Sequence, residues 1–282
     1  MTAPGLLGSV VIPAHNEAAV IRRCLDTLLD GFRPGELEVV VACNGCTDET
    51  ADIVRSSGHA VRVIEIEVAS KPAALRAAEE LVTTFPRLYL DADVVLTAPS
   101  ARQVLERLRS GPALAARPPI SYDTNRSAIL VRSYYRARVR VPAVMGSVWG
   151  AGVYGLSEVG RARFGPYPDI TADDLYVDQC FKRSEIEIVG SAPVQVTAPR
   201  RTTDLLRILR RNYQGKAENS GLPSVPGSTT MSTVHDLARA VSMRPGSIVD
   251  VTVYFGLAAL ARLMLAIAGH SRWERDDSSR EG

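Results

Sequence analysis

The sequence predicts an α/β fold: an open, mainly parallel sheet flanked by helices, with a helical extension at the C-terminus. Three observations carry this. Short β-branched runs ended by proline, asparagine or aspartate alternate with segments whose apolar residues recur at helical spacing. The alternation repeats through the first 100 residues in the rhythm of strand–helix–strand units, which close with right-handed crossovers. The 282 residues, 46% hydrophobic and 23% charged, have the make-up of a chain with a large buried core, and exclude disordered, collagen-like and disulfide-stapled classes.

Taken in order, residues 7–13 (LGSVVIP) form a strand closed by proline. Residues 17–29 form a helix with Val20, Ile21, Cys24, Leu25 and Leu28 on one face. Residues 37–43 (LEVVVAC) read as a buried strand, followed by Asn-Gly and a helix start at Thr47-Asp48-Glu49, where Asp48 is a helix N-cap. Residues 61–68 are a third strand, 72–82 a helix with proline in its first turn, and 87–90 a fourth strand running into Asp91-Ala92-Asp93. Beyond residue 100 come a helix at 101–109, a basic stretch with Tyr122, Tyr134 and Tyr135, and a glycine-rich run at 146–154 whose backbone suits close approach to a ligand. A helix opens at 170–175 and continues to Lys182, residues 187–196 supply a strand pair or one long strand, and 221–230 has loop composition. Three divisions result: residues 1–100 and 101–215 as two halves of one domain, then 216–282 with a mobile loop, an apolar helix and a disordered tail from Arg272.

Charge is balanced, 33 Lys+Arg against 31 Asp+Glu, which argues against nucleic acid as a partner. The distribution is uneven. Residues 117–140 hold six arginines and one acid, and residues 200–216 six basic residues and one acid, which predicts two local basic surfaces. Cys43 and Cys46 form a C-x-x-C pair, but no second pair of ligands stands at metal spacing, and no basic region followed by an apolar stretch opens the chain. These features place it in the reducing cytoplasm. Residues 247–269 are long enough to span a bilayer but contain Asp250 and Arg262. An arginine at mid-span costs about 2.5–3.5 kcal/mol on insertion scales, which favours a helix docked on the protein or lying on a membrane surface.

In open sheets of this kind ligands bind beyond the carboxyl ends of the strands. Three of the first four strands end in polar groups suited to that place: His15-Asn16-Glu17, Asn44, and Asp91 with Asp93. Two carboxylates one residue apart at a strand end are hard oxygen ligands, the type that holds Mg²⁺ or Mn²⁺ carrying a diphosphate, although an isolated D-x-D is as often a turn or cap.

Four segments, Val10-Val11-Ile12-Pro13-Ala14-His15-Asn16-Glu17, then 39–50 (VVVACNGCTDET), then Lys71-Pro72-Ala73-Ala74-Leu75, then Leu90-Asp91-Ala92-Asp93, resemble in order and spacing the family 2 glycosyltransferases of GT-A fold. The likeness covers about residues 7–215. It implies a Rossmann-like GT-A sheet and an inverting transferase taking a sugar from a nucleotide diphosphate donor, here UDP-linked, with Mn²⁺ or Mg²⁺ as cofactor.

Carried over, the resemblance sets Pro13, His15, Asn16 and Glu17 around the nucleoside, with Glu17 reaching the base or ribose. Asn44 stands where the family often has Asp, and an amide, offering donor and acceptor, still reads a uracil edge. Lys71 falls beside the donor phosphates, Asp93 becomes a direct metal ligand, and Asp91 with Ala92 lies at the ribose and metal. Arg76 replaces a frequent Asn. Asp174, second of the pair Asp173-Asp174, is the catalytic base, because attack of a hydroxyl on an anomeric carbon needs a carboxylate within reach of its proton; Asp173 positions it. Gly150 and Gly152 resemble the acceptor-side floor, and His235 is a candidate late metal ligand. Residues 210–213 (RRNY) lack the Gln-x-x-Arg-Trp of processive members, so transfer is non-processive. Two other classes fit the sequence less well. A sugar-1-phosphate nucleotidyltransferase calls for a glycine-rich phosphate loop after the first strand, which Ala14-His15-Asn16 is not, and a non-catalytic nucleotide-sugar binder has no use for the acidic pair. The apolar C-terminal helix and the arginine-rich stretches suit a lipid-linked or amphiphilic acceptor at the inner face of a membrane.

Overall fold

The computed structural model describes residues 5–170, 172–218 and 247–268. The first half is built as expected. Strands β1 (Gly8–Ala14), β2 (Leu37–Asn44), β3 (Arg62–Ile66) and β4 (Arg87–Leu90) alternate with helices α1 (Ile21–Leu29), α2 (Thr50–Arg55) and α3 (Lys71–Glu79), and α4 (Ala98–Ser110) follows. All pairings among these strands are parallel, with β1 between β2 and β4. The parity of the side chains divides the core. Val10 and Ile12 pack on one side with Leu25, Leu28 and Leu105, while Val11 and Val40 pack on the other with Ala74, Leu75 and Ala78. A sheet covered on both faces requires near-continuous apolar strands, which is why these runs do not alternate with polar residues.

The second half departs from a simple parallel continuation. Strands β5 (Ala115–Arg117), β6 (Ile120–Asp123), β7 (Val153–Leu156), β8 (Ile186–Ile188) and β9 (Val194–Thr197) complete the molecule with helices α5 (Ile129–Arg138), α6 (Pro142–Met145), α7 (Glu158–Arg161), α8 (Asp173–Gln179) and α9 (Thr202–Glu218). The seven-stranded sheet runs β3-β2-β1-β4-β7-β5-β8, and β7 lies antiparallel to both neighbours. The glycine-rich run was expected to be ligand-approaching backbone, and its end is also a central strand. Gly155 can sit there because a Cβ would meet Leu108 and Leu88 at 2.7 and 2.8 Å. Residues 187–196 resolve as two short strands in different sheets, β8 in the main one and β9 parallel to β6.

The first basic stretch is a surface only in part: Arg126, Arg132 and Arg136 are exposed, whereas Arg117 and Arg138 are buried. Arg117 is fully buried and donates to the carbonyls of Ser147, Pro118 and Met145. Arg136 and Arg140 reach Asp250 at 2.7 and 3.4 Å. Asp250 opens helix α10 (Ile248–Ala268), and Ser133 Oγ donates to it at 2.6 Å. The helix lies on α5 and α9: Leu257 and Ala261 join Val131, Leu205 and Leu209 in a third core cluster, and Tyr254 stacks on Tyr134 at 4.9 Å. Its other face exposes Val249, Leu260, Leu263 and Ile267. The helix is long and apolar enough to cross a membrane, yet one side is docked on protein. The 221–230 loop, His235 and the tail from Arg272 lie outside the described residues.

Candidate active site

One cavity of ≈ 1550 Å³ opens along the carboxyl ends of the strands and continues between the helices of the second half. Its strand-end wall carries Pro13, His15, Glu17, Asn44, Lys71, Asp91, Ala92 and Asp93, and Gly150, Gly152, Asp173 and Asp174 lie across from them. Asn16 does not line it. That residue adopts φ 53°, and its carboxamide oxygen accepts the Thr47 N–H at 2.7 Å, so it fastens the β1 loop to the β2 loop. Asn44 is buried, donates to Ala14 O at 3.0 Å, and offers its carbonyl to His15 Nδ1. Asp48 works as a clamp: it accepts the N–H of Ala18 and of Thr50, each at 3.1 Å, and these hydrogen bonds hold its carboxyl below the usual range against the opposing effect of burial. Cys43 is buried beside Cys46, and desolvation pushes its thiol up to about 12, so it is packing rather than a reactive thiolate.

The centre of the site is a charge chain. The Lys71 ammonium sits 2.7 Å from Asp91 and 2.9 Å from Asp173, so α3 bridges the end of β4 to the start of α8. The ammonium that the resemblance sets beside the donor phosphates is here held by two carboxylates. Tyr154 Oη also approaches Asp173 at 3.4 Å. Asp174 accepts the Gly150 N–H at 2.7 Å and the Leu175 N–H at 2.8 Å. Burial, and after it the charge of Asp173, push its carboxyl up to about 6, while Lys71 pulls the other way. A carboxylate so placed exchanges protons near neutral pH.

Two glycines are required here by their backbone. Gly150 and Gly152 have φ of 78° and 65°. A Cβ on Gly152 would lie 2.4 Å from Val94 and 3.3 Å from Asp91 Oδ2, while its carbonyl accepts the Asp91 N–H at 2.8 Å. The loop thus sets the D-x-D turn. Arg76, the replacement noted in the sequence, donates to Tyr167 O and pairs with Asp169 at 2.8 Å, tying α3 to the segment before α8.

Asp91 and Asp93 offer the hard oxygens a divalent cation takes, and no third carboxylate, histidine or cysteine completes a cluster with them among the described residues. That set fits Mg²⁺ or Mn²⁺, which take one or two carboxylates and fill their remaining positions with phosphate oxygens and water.

The far half of the cavity was not found from sequence. There Arg138, Trp149, Tyr122, Tyr213 and Arg262 face the space. Arg138 is buried, its Nε donates to Tyr122 Oη at 3.1 Å, and its guanidinium lies 4.9 Å from the Trp149 ring. A signal existed: Val131, Tyr134, Tyr135 and Arg138 recur at helical spacing, which puts the arginine on the inward face of α5.

Residues 9–146 match the family model described as glycosyl transferase family 2. Over those residues, just under half of the chain, the sequence resembles that family. The archaeal glycosyltransferase AglD of Haloferax volcanii is 34% identical over 118 residues, 39% of this chain and 19% of that protein. The match to each curated relative spans about a quarter of its length or less. Among solved structures, the mannosyltransferase PcManGT from Pyrobaculum calidifontis, in complex with GDP-Man and Mn²⁺, superimposes with TM-score 0.62 at 20% identity, covering 95% of this chain and 79% of that one. Glucosyl-3-phosphoglycerate synthase from Mycobacterium tuberculosis, with Mn²⁺, UDP and glucosyl-3-phosphoglycerate, gives 0.53 at 21% identity over 77% of this chain and 80% of that one. The fold is therefore the GT-A-type architecture, a mixed and mainly parallel sheet with helices on both faces.

Proposed function

We propose that the chain is a non-processive, inverting glycosyltransferase that moves a sugar from a UDP-linked donor to an acceptor hydroxyl. The observation that carries this reading is the convergence of four carboxylates on one cavity: Asp91 and Asp93 from the end of β4, and Asp173 and Asp174 from the start of α8. The two pairs divide the work. Asp93 and Asp91 would hold Mg²⁺ or Mn²⁺, which offsets the charge of a diphosphate leaving group. Asp174, oriented by Gly150 and Leu175, takes the proton of the attacking hydroxyl, and Asp173 with Lys71 fixes the start of α8. Pro13, His15, Glu17 and Asn44 line the nucleoside end. Residues 1–100 supply the donor half and 101–215 the acceptor half. The structurally similar mannosyltransferase and synthase, solved with GDP-Man or UDP and with Mn²⁺, support a nucleotide-sugar and cation site.

The exposed apolar face of α10, continued by Ile129 and Leu130 on α5, supports peripheral contact with the inner face of a membrane and an amphiphilic acceptor. Sedimentation with anionic vesicles tests this; full-length protein that stays in the supernatant at low salt removes it.

Calorimetry of UDP binding tests the central reading. Binding is expected with Mn²⁺ and is expected to be lost in EDTA and in Asp93→Ala. UDP affinity that is unchanged in both overturns the assignment of the cation site.

A further inference from the structure

The other buried arginines among the described residues are neutralised or saturated. Arg87 pairs with Glu79, which also takes the partly buried Arg161, and Arg117 gives its donors to three backbone carbonyls. Arg138 differs. It is buried and always charged, yet its hydrogen bond is a single one, from Nε to Tyr122 Oη, and no carboxylate lies within ion-pair distance among the described residues. The ionisable groups that act on it or on which it acts include Tyr122, Tyr134, Tyr135, Tyr213 and the like-charged Arg117. A guanidinium out of water without an anion is costly, and its planar fork matches the oxygens of a phosphate.

The position says which substrate would bring that anion. A Cβ on Gly150 would lie 3.4 Å from Arg138 Nη2, and the Gly150 N–H is the donor to Asp174. Arg138 and the proposed base thus flank one residue, on the side of the cavity away from Asn44 and the nucleoside end. A second cation stands close by: Arg262 of α10 lies over Tyr213 at 4.6 Å and pairs with no carboxylate among the described residues. Burial pushes the Tyr213 hydroxyl up, while the charges of Arg262 and Arg138 both oppose it, and both arginines line the same cavity.

We propose that the acceptor carries a phosphate group, and that Arg138 anchors it beside Asp174, with Trp149 and Tyr122 as walls and Arg262 as the outer cation. This rests on the reading of the cavity as a transferase site. It adds the acceptor class: a phosphorylated molecule, either a soluble ester or a lipid-linked one.

The test reads Trp149 emission in the full chain carrying Trp273→Phe, which leaves Trp149 the sole reporter. Inorganic phosphate, glycerol 3-phosphate and dodecyl phosphate are titrated at constant ionic strength in EDTA, so that no cation recruits phosphate to Asp91 and Asp93. A saturable change with the phosphates and none with chloride is expected. Arg138→Gln is expected to weaken it by about tenfold or more, and Arg138→Lys, which keeps the charge and loses the fork, by less. If thermal melting shows that Arg138→Gln does not fold, Arg138→Lys and Arg262→Gln carry the comparison. Tighter binding of dodecyl phosphate than of glycerol 3-phosphate assigns the group to a lipid-linked acceptor, and the reverse to a soluble one. No saturable change with any probe, or equal affinities in parent and every folded variant, overturns the anchor. UDP–Mn²⁺ calorimetry on the same sample separates the two readings. Bound UDP without a phosphate response removes the anchor alone, and a phosphate response without UDP binding overturns the acceptor assignment together with the transferase reading.

Discussion

The two sides of the cavity are built on opposite plans. On the strand-end side the charge is acidic, and each functional group is held by backbone geometry: Asp91 follows a central strand and bonds the Gly152 loop, and Asn44 ends β2. In the far half of the cavity, beyond Asp173 and Asp174, the charge is basic, and its charged groups come from helices α5 and α10, fixed by ring stacking and by the Asp250 ion pairs. A sheet locates a few atoms tightly because its interior strands, β1, β2 and β4 among them, are bonded on both sides. A helix layer tolerates exchange of one side chain for another, so it suits the part of a site that must fit a particular acceptor.

The sharpest way to break this contrast is Asp174→Asn. The amide keeps the shape and loses the proton acceptor, so turnover is expected to fall about 100- to 10,000-fold, while UDP affinity measured by calorimetry stays within about threefold. An active variant would move the base elsewhere. The helical side is probed by Asp250→Ala, which leaves Arg136, Arg140 and Ser133 without their shared acceptor. Because Arg136 is half exposed, the expected loss is about 1–3 kcal/mol in urea unfolding, with UDP binding retained. Loss of UDP binding would show the two sides to be one unit.

A smaller effect follows from acidity. Asp174 has a raised pKa in the folded state, about 6, so kcat/KM for the donor is expected to fall about tenfold per pH unit below that value. The same shift bears on stability with the opposite sign. A carboxyl that binds its proton more readily when folded contributes stability at acid pH, and that contribution is lost as pH rises through about 6. The groups facing it are Asp173 and Asp91, which raise its pKa, and Lys71, which lowers it. Lys71→Met is therefore expected to move the acid limb of the rate profile upward. A limb that stays in place would show that Lys71 does not act on Asp174.

The strand-end side was legible because its requirements are local. Each motif combines an apolar strand with the polar residue that ends it, and both stand together in the chain. The resemblance covered these segments, and the cavity gathers Pro13, Asn44, Lys71, Asp91, Asp93 and Asp174. Asn16 has a left-handed backbone and its side chain accepts the Thr47 N–H, a feature that composition does not announce. The other side was hidden for a different reason. Arg117, Arg136, Arg138 and Arg140 look alike in a row of basic residues, and only tertiary partners, three carbonyls, Asp250 and an aromatic wall, tell them apart. The antiparallel β7 was unreadable because four residues beside a glycine run carry too little periodicity to declare a direction.

That strand has a consequence for the birth of the molecule. The β1–β4 layer finds its parallel partners within the first 90 residues, but the outer edge of β4 has its partner only in β7, more than 60 residues later in the chain. An apolar edge left unpaired on a nascent chain is a template for association with other chains. The segment that supplies Gly150 and Gly152 to the site is thus also the one that seals the sheet, so damage to it should appear first as aggregation during synthesis rather than as an inactive soluble protein.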